Sequence, residues 1–289
     1  MNDPESRRTT VTVDGAGVGV RYLRAGSGPP VVLVHGIGID AASVSWRHVL
    51  PVLAEERTVY ALDLPGHGES DKPRRRYTTA YFESVLEAFL DAEGLTGAPL
   101  VGVSMGGAVV LGQALSETPP ERIALIDSYG LGGDAYWRAP ASAALWTPGL
   151  GQYLFSGVGG SRAAVRSSLA GLTGSPPDDA FVDDVYEAVR DPPVRRTMRR
   201  WQRSEFRPTG LRTDYSDRLG EIDVPTLLVH GAEDPLLPPA WSRRAHEALP
   251  ASALHVLDGC GHWPPREQPQ VVTELLTAFL AGERGPASD

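Results

Sequence analysis

Apolar and polar positions along the chain predict an alternation of strands and helices that is interrupted once. Thr10–Val13 and Val18–Leu23 are β-branched runs separated by Asp14-Gly15-Ala16-Gly17, the pattern of an antiparallel hairpin. Val31–Val34 is apolar without a break, as expected of a strand buried on both faces, and Thr58–Leu62 reads the same way. Val44–Leu53 places Trp46, Val49, Leu50 and Leu53 at helical spacing. Tyr81–Leu90 repeats apolar residues at three and four. Leu100–Val103 and Ile123–Ile126 are short apolar runs on either side of a run rich in small and apolar residues. After Asp127 the rhythm stops. Only Phe181–Val189 and Val194–Phe206 look helical before Pro225–Val229 resumes the alternation, followed by a helix near Ala240–Leu249, a strand at Ala253–Leu257 and a helix at Pro269–Leu280. This pattern predicts a mostly parallel sheet with helices on both faces. The organisation expected is a core of residues 1–128 and 216–289 and an excursion of residues 129–215.

In such a sheet the chemistry collects beyond the carboxyl ends of the strands. Those ends carry His35-Gly36, Asp63, Ser104, Asp127, Asp234 and His262. The segment Gly102-Val103-Ser104-Met105-Gly106 has glycines two before and two after a serine, as a sharp strand-to-helix turn requires. The serine hydroxyl would stand at the apex. A serine needs a base to become a nucleophile, and a histidine needs a carboxylate to hold its tautomer. His262 and Asp234 are the expected partners. Asp127 is the rival acid, set aside because the Asp234 loop precedes the histidine strand by one helix; Asp127 is expected to hold backbone amides instead. The N–H groups of Met105 and Ile37 are placed to receive an oxyanion, Gly36 and Gly38 allowing close approach. His35 is expected to brace the loop backbone.

Composition narrows the picture in a few places. The chain has 289 residues and a formal charge of −9, which argues against a nucleic-acid partner. Met1–Thr10 is polar, so a secretory leader is not expected there, and no run approaches the length of a membrane span. Cys260 is the single cysteine, so no internal disulfide is possible. No Cys/His cluster has ligand spacing and no dinucleotide-type glycine loop is present, so neither metal nor organic cofactor is expected.

VLVHGIG, DLPGHGESD, GVSMGG, LLVHGAEDP and GCGHWPPREQP together resemble the α/β-hydrolase superfamily, over Val11–Leu280. The resemblance implies an α/β-hydrolase fold with an eight-stranded, mostly parallel sheet, and a helical cap made of residues 129–215. Ser104 separates the chain from relatives with aspartate at the elbow, the haloalkane dehalogenases and epoxide hydrolases. His262-Trp263 and Ser-Met-Gly-Gly are similar to the carbon–carbon bond hydrolases of aromatic degradation, while carboxylesterases, lactonases and cofactor-free perhydrolases share them too. The expected function is a cytoplasmic serine hydrolase cleaving a small, largely apolar carboxylic ester or related acyl bond. Alternatives are a carbon–carbon (meta-cleavage product) hydrolase, a non-catalytic ligand receptor, and a perhydrolase or lyase. The expected partner is a small-molecule substrate, without nucleic acid or membrane, and a homodimer is left open.

Within the excursion, Val194, Met198 and Trp201 make an apolar stripe, with Arg196, Arg199, Arg200, Arg203 and Arg207 mostly opposite. Those arginines are expected to form a solvated face rather than an anion-binding patch for a carboxylate substrate. Arg190 and Arg195, nearer the apolar side, are the candidates for reaching substrate, with Trp263, Trp137 and Trp146 as apolar contacts. A carbon–carbon hydrolase would need such an arginine to face the site.

Overall fold

The computed structural model describes residues 3–135, 140–141, 143–144, 161–207 and 210–282. The N-terminal β-branched runs form β1 (Glu5–Val13) and β2 (Ala16–Ala25), paired antiparallel through a turn at Asp14-Gly15. Both turn residues take positive φ, 53° and 75°, so the turn's twist matches that of the strands. β3 (Pro30–Val34), β4 (Thr58–Leu62), β5 (Leu100–Val103) and β6 (Ile123–Ile126) follow. A short antiparallel pair, β7 (Phe206–Arg207) and β8 (Gly210–Leu211), precedes β9 (Thr226–Gly231) and β10 (Ser252–Leu257). The main sheet has eight strands in the order β1-β2-β4-β3-β5-β6-β9-β10. Within this sheet only the β1–β2 and β2–β4 pairs are antiparallel.

Strand alternation splits the core into two layers. Val32 and Val34 of β3 enter one apolar cluster while Val31 and Leu33 enter the other; Ile123 and Leu125 are divided in the same way from Ala124 and Ile126. On one face lies α3 (Thr79–Glu93), whose Phe82, Val85, Leu86 and Phe89 are fully buried. It starts on the Thr78 side chain, which accepts from Tyr81 N, and ends on left-handed Gly94. On the other face α2 (Val49–Leu53) meets α10 (Pro269–Leu280). The helix expected over Val44–Leu53 is two pieces, α1 (Ala42–Ser45) and α2. Pro51 is the reason: in one continuous helix its ring would collide with the carbonyl of Arg47, whereas in the first turn of α2 it is tolerated.

Between β6 and β9 the chain includes α5 (Arg162–Ala170), α6 (Asp179–Arg190) and α7 (Pro192–Glu205). α5 and α6 pack Val165, Leu169, Phe181, Val182 and Val185 onto Ile39, Val44 and Trp263, beyond the strand ends. α7 lies against two glycine turns, where a Cβ on Gly38 would strike Met198 and one on Gly66 would strike Thr197. The remaining elements are α4 (Met105–Ala114), α8 (Pro239–Ala248) and α9 (Pro264–Glu267). Among the described residues no helix is long and apolar enough to cross a membrane.

Candidate active site

The strand order places the chemistry. β4 lies on one side of β3 and β5 on the other, so the chain leaves the carboxyl ends of β3 and β5 in opposite directions. A crevice opens at such a switch point. The loop after β3 supplies Gly36 and Ile37; the turn after β5 supplies Ser104. A Cβ on Gly36 would stand 3.3 Å from the Ser104 Cβ.

Ser104 sits at φ 54° and ψ −122°, between the end of β5 and the first residue of α4. A non-glycine residue there carries strain on the order of 1–3 kcal/mol. Ser104 N donates to Ile126 O at 2.9 Å, and its carbonyl accepts from Gly107 N and Tyr129 N, each at 3.0 Å. The flanking glycines are sterically compelled. A Cβ on Gly102 would lie 2.4 Å from Gly106 O, and one on Gly106 would lie 2.3 Å from Val34 O. Both obstacles are backbone. Gly106→Ala is therefore expected to cost about 1–3 kcal/mol of stability, read as a lower urea midpoint at unchanged m-value; a midpoint equal to wild type would show that the turn has room.

His262 is held by its own backbone, which donates to Leu172 O at 2.7 Å. Its Nδ1 lies 2.7 Å from Asp234 Oδ2 and its Nε2 lies 3.0 Å from Ser104 Oγ. With Asp234 accepting at Nδ1–H, Nε2 is left to accept from the serine hydroxyl. Asp234 Oδ1 is occupied by Leu236 N at 2.7 Å and Leu237 N at 3.1 Å, which fixes the carboxylate plane. Burial works to raise the Asp234 pKa, but attraction to His262 and hydrogen bonds from His230 and His262 outweigh it and hold the carboxyl well below the usual range.

Asp127 ends β6 nearby. Its Oδ1 accepts from Gly231 N at 2.8 Å, while its buried Oδ2 has no hydrogen-bond partner. Burial pushes this carboxyl well above the usual range, against the pull of His230 and with repulsion from Asp234 added. His230 lies between the two acids, its Nε2 3.7 Å from Asp127 Oδ1 and 3.5 Å from Asp234 Oδ2. Burial lowers its pKa but the two carboxylates prevail and raise it. Asp127, Asp234 and His262 each bring one ligand-type atom within 4.8 Å of the others. In that set His262 Nδ1 is already given to Asp234.

Ser104 and His262 open on a cavity of about 450 Å³ walled by Ile37, Met198, Trp201, Phe206, Leu237 and Trp263, among others. Ile37, from the loop after β3, is on that wall. Met105, the first residue of α4, has its N–H at a helix start, where no carbonyl one turn earlier is available. The Trp263 indole reaches the cavity and is pinned by Nε1 donating to Ser45 Oγ at 2.8 Å. Trp137 and Trp146 lie outside the described residues.

The expectation for Arg190 and Arg195 needs correction: neither lines the cavity. Arg190 is exposed and paired with Glu187 at 3.0 Å. Arg195 donates to Val189 O and Arg190 O, closing the carbonyl end of α6 where Asp191-Pro192-Pro193 starts the next helix. A helical wheel assigns a face but not this competing use of the guanidinium. Among the described residues, no lysine or arginine lines the cavity.

Several contributors were passed over by pattern reading. Glu267 accepts from Gly174 N, Gly261 N and Trp263 N, and so clamps the histidine loop. Asp40 accepts from Gly36 N at 2.7 Å and Ala41 N at 2.8 Å and shapes the loop beside Ile37. Gln202 reaches the cavity with a buried, unpartnered Oε1; its place one turn after Met198 was the available signal. His35 braces the loop, as expected. Its Nε2 accepts from Leu64 N at 2.9 Å, so Nδ1 carries the hydrogen toward Gly36 O at 2.6 Å.

A family model described as the alpha/beta hydrolase fold matches residues 29–269. The chain belongs to this family. This alpha/beta hydrolase is 31% identical over 278 residues to the 2-hydroxy-6-oxo-6-(2'-aminophenyl)hexa-2,4-dienoic acid hydrolase of Metapseudomonas resinovorans, covering 93% of this chain and 90% of the relative. Among solved structures it resembles a serine hydrolase involved in carbazole degradation, with TM-score 0.79, 27% identity, and 96% of this chain and 100% of that one covered. It is also similar to an esterase from Rhodococcus sp. ECU1013, with TM-score 0.73, 25% identity, and 96% and 99% covered.

Proposed function

We propose that this alpha/beta hydrolase is a serine hydrolase acting on a neutral, largely apolar carboxylic ester, with residues 129–215 forming the cap over its cavity. One observation carries the reading: a Ser104–His262–Asp234 chain of hydrogen bonds, at 3.0 and 2.7 Å, opens on an apolar cavity. Ser104 Oγ attacks the ester carbonyl as His262 Nε2 takes its proton, and Asp234 steadies the imidazolium so formed. Ile37 and Met105 N–H groups receive the oxyanion. Collapse expels the alkoxide, which takes the proton back from His262. Water, activated by the same imidazole, then releases the acid.

The second reading is carbon–carbon hydrolysis of a dienoic acid, favoured by the relative from Metapseudomonas resinovorans, whose name specifies such a substrate. A dienoate would bring a carboxylate into the cavity. An ionised group moved out of water without a cation pays a large desolvation cost, and no described cation lines this one. Purified protein assayed against p-nitrophenyl esters of graded acyl length, beside a meta-cleavage dienoate, tests the choice. The expected result is ester turnover with a kcat/KM at least about 100-fold above that for the dienoate, equivalent to about 2.7 kcal/mol. The reverse ranking would move the assignment to carbon–carbon hydrolysis.

The placement of Arg190 has a consequence in the same assay. Arg190→Ala is expected to alter kcat/KM by less than about threefold on both substrate classes, under about 0.7 kcal/mol. A loss confined to the dienoate would show that this guanidinium reaches an anionic substrate after all.

A further inference from the structure

Six arginines meet at one concavity outside the candidate active site. Arg74, Arg75 and Arg76, from the loop before α3, line it together with Arg200 and Arg203 of α7 and Arg207 of β7; its volume is about 820 Å³. The two groups are far apart in sequence but fastened to each other. Arg200 Nη1 donates to Arg75 O at 2.9 Å and Arg76 Nε to Ser204 Oγ at 3.2 Å, across 125 and 128 positions. Arg75 is paired with Asp14 at 2.6 Å.

This gathering runs against the chain's overall charge of −9. The neighbouring Arg199 is held below its usual pKa first by burial and then by Arg203, Arg200 and Arg196. Like charges brought together oppose folding, and local conflicts of this kind concentrate at functional sites. Guanidinium forks match phosphate oxygens two at a time, which a lysine cluster would not do. The volume falls in the range of small-molecule sites. A membrane surface fits less well, because anchoring there pairs cations with exposed apolar side chains. The exposed large apolar residues among those described, Val52 and Val271, belong to α2 and α10, neither of which lines the cleft. Phe206 is a wall of both the cleft and the cavity beside Ser104, so an occupant of the cleft would lie next to the candidate active site.

We propose that the arginine cleft binds a small phosphate-bearing anion, with a diphosphate group as the minimal ligand. The proposal needs no step of acyl hydrolysis, so it stands or falls independently of the ester reading. Two sources carry the group: inorganic diphosphate and an organic diphosphate of the nucleotide kind.

Calorimetric titration of the full chain with inorganic pyrophosphate at low ionic strength tests it. The expected result is saturable binding that weakens at least about tenfold in Arg74→Glu/Arg207→Glu. It should also weaken as sodium chloride is raised. These two side chains are exposed, one on each wall; circular dichroism checks that the variant folds, and Arg74→Lys/Arg207→Lys should bind more tightly than the glutamate pair. Titration with ADP separates the sources: affinity above that for pyrophosphate points to an organic diphosphate, and equal affinity to the inorganic group. The proposal is overturned by the absence of saturable binding up to about 10 mM pyrophosphate, or by equal affinity in the glutamate pair. Tighter binding of hexaglutamate than of pyrophosphate would also overturn it, assigning the cleft to an acidic protein segment.

Discussion

Ser104→Ala is expected to lower kcat on p-nitrophenyl esters by about 10⁶, the scale seen when a serine hydrolase loses its nucleophile. The expectation rests on the 3.0 Å approach of Ser104 Oγ to His262 Nε2 and on the placement of Ser104 on the cavity wall. The Ser104 backbone bonds, to Ile126, Gly107 and Tyr129, do not involve the hydroxyl. The variant should therefore fold, with a urea midpoint close to wild type. Initial rates on purified protein decide the matter. Retention of more than a small percentage of wild-type activity in a folded variant would remove Ser104 from the nucleophile's role.

For Asp234→Asn, the expected loss in kcat is about 10⁴, the cost of presenting the wrong imidazole tautomer. An amide at this position can donate to His262 Nδ1, which moves the ring hydrogen to Nε2, where Ser104 needs an acceptor. Asp127→Asn should instead leave kcat within about tenfold, because its carboxyl holds Gly231 N and does not touch His262 in the hydrogen-bond network. The two acids also have opposite linkage to pH. Asp234, held low when folded, contributes stability that is present above its unfolded value of about 3.9 and is lost as pH falls through the folded value. Asp127, held high, contributes stability that is full below about 3.9 and is lost as pH rises toward its folded value. Urea midpoints measured from pH 4 to 8 should therefore fall less steeply with rising pH in Asp127→Asn than in wild type. Should Asp127→Asn abolish turnover while Asp234→Asn spares it, the acid belongs on β6.

What the sequence determined by itself is the part governed by short-range physics. Continuous apolar runs at Val31–Val34 and Ile123–Ile126 can be satisfied only between two helical layers, and the structure buries them there. Gly102 and Gly106 had to flank Ser104 because backbone atoms occupy the space a Cβ would need. The order Ser104, Asp234, His262 at strand ends placed three side chains on one edge of a parallel sheet, and the observed distances follow from that edge. Where a local rule was overlooked, as with Pro51 in the expected Val44–Leu53 helix, the element split at the predictable place.

The tertiary structure decided what depends on which distant groups compete for one another. Arg195 had a face on the wheel suited to substrate, yet the open carbonyls at the end of α6 took its guanidinium. Asp127 influences the charge of His230 and Asp234 because β6 and β9 are neighbours in the sheet, an adjacency that no spacing in the chain encodes. The arginines of α7 read as a solvated stripe while the helix is considered alone. They become one wall of a charged cleft only when Arg74–Arg76 are brought against them from 125 residues away. Periodicity reports which side of an element turns from the core, but the electrostatic field on that side is a sum over space, and space is set by the fold.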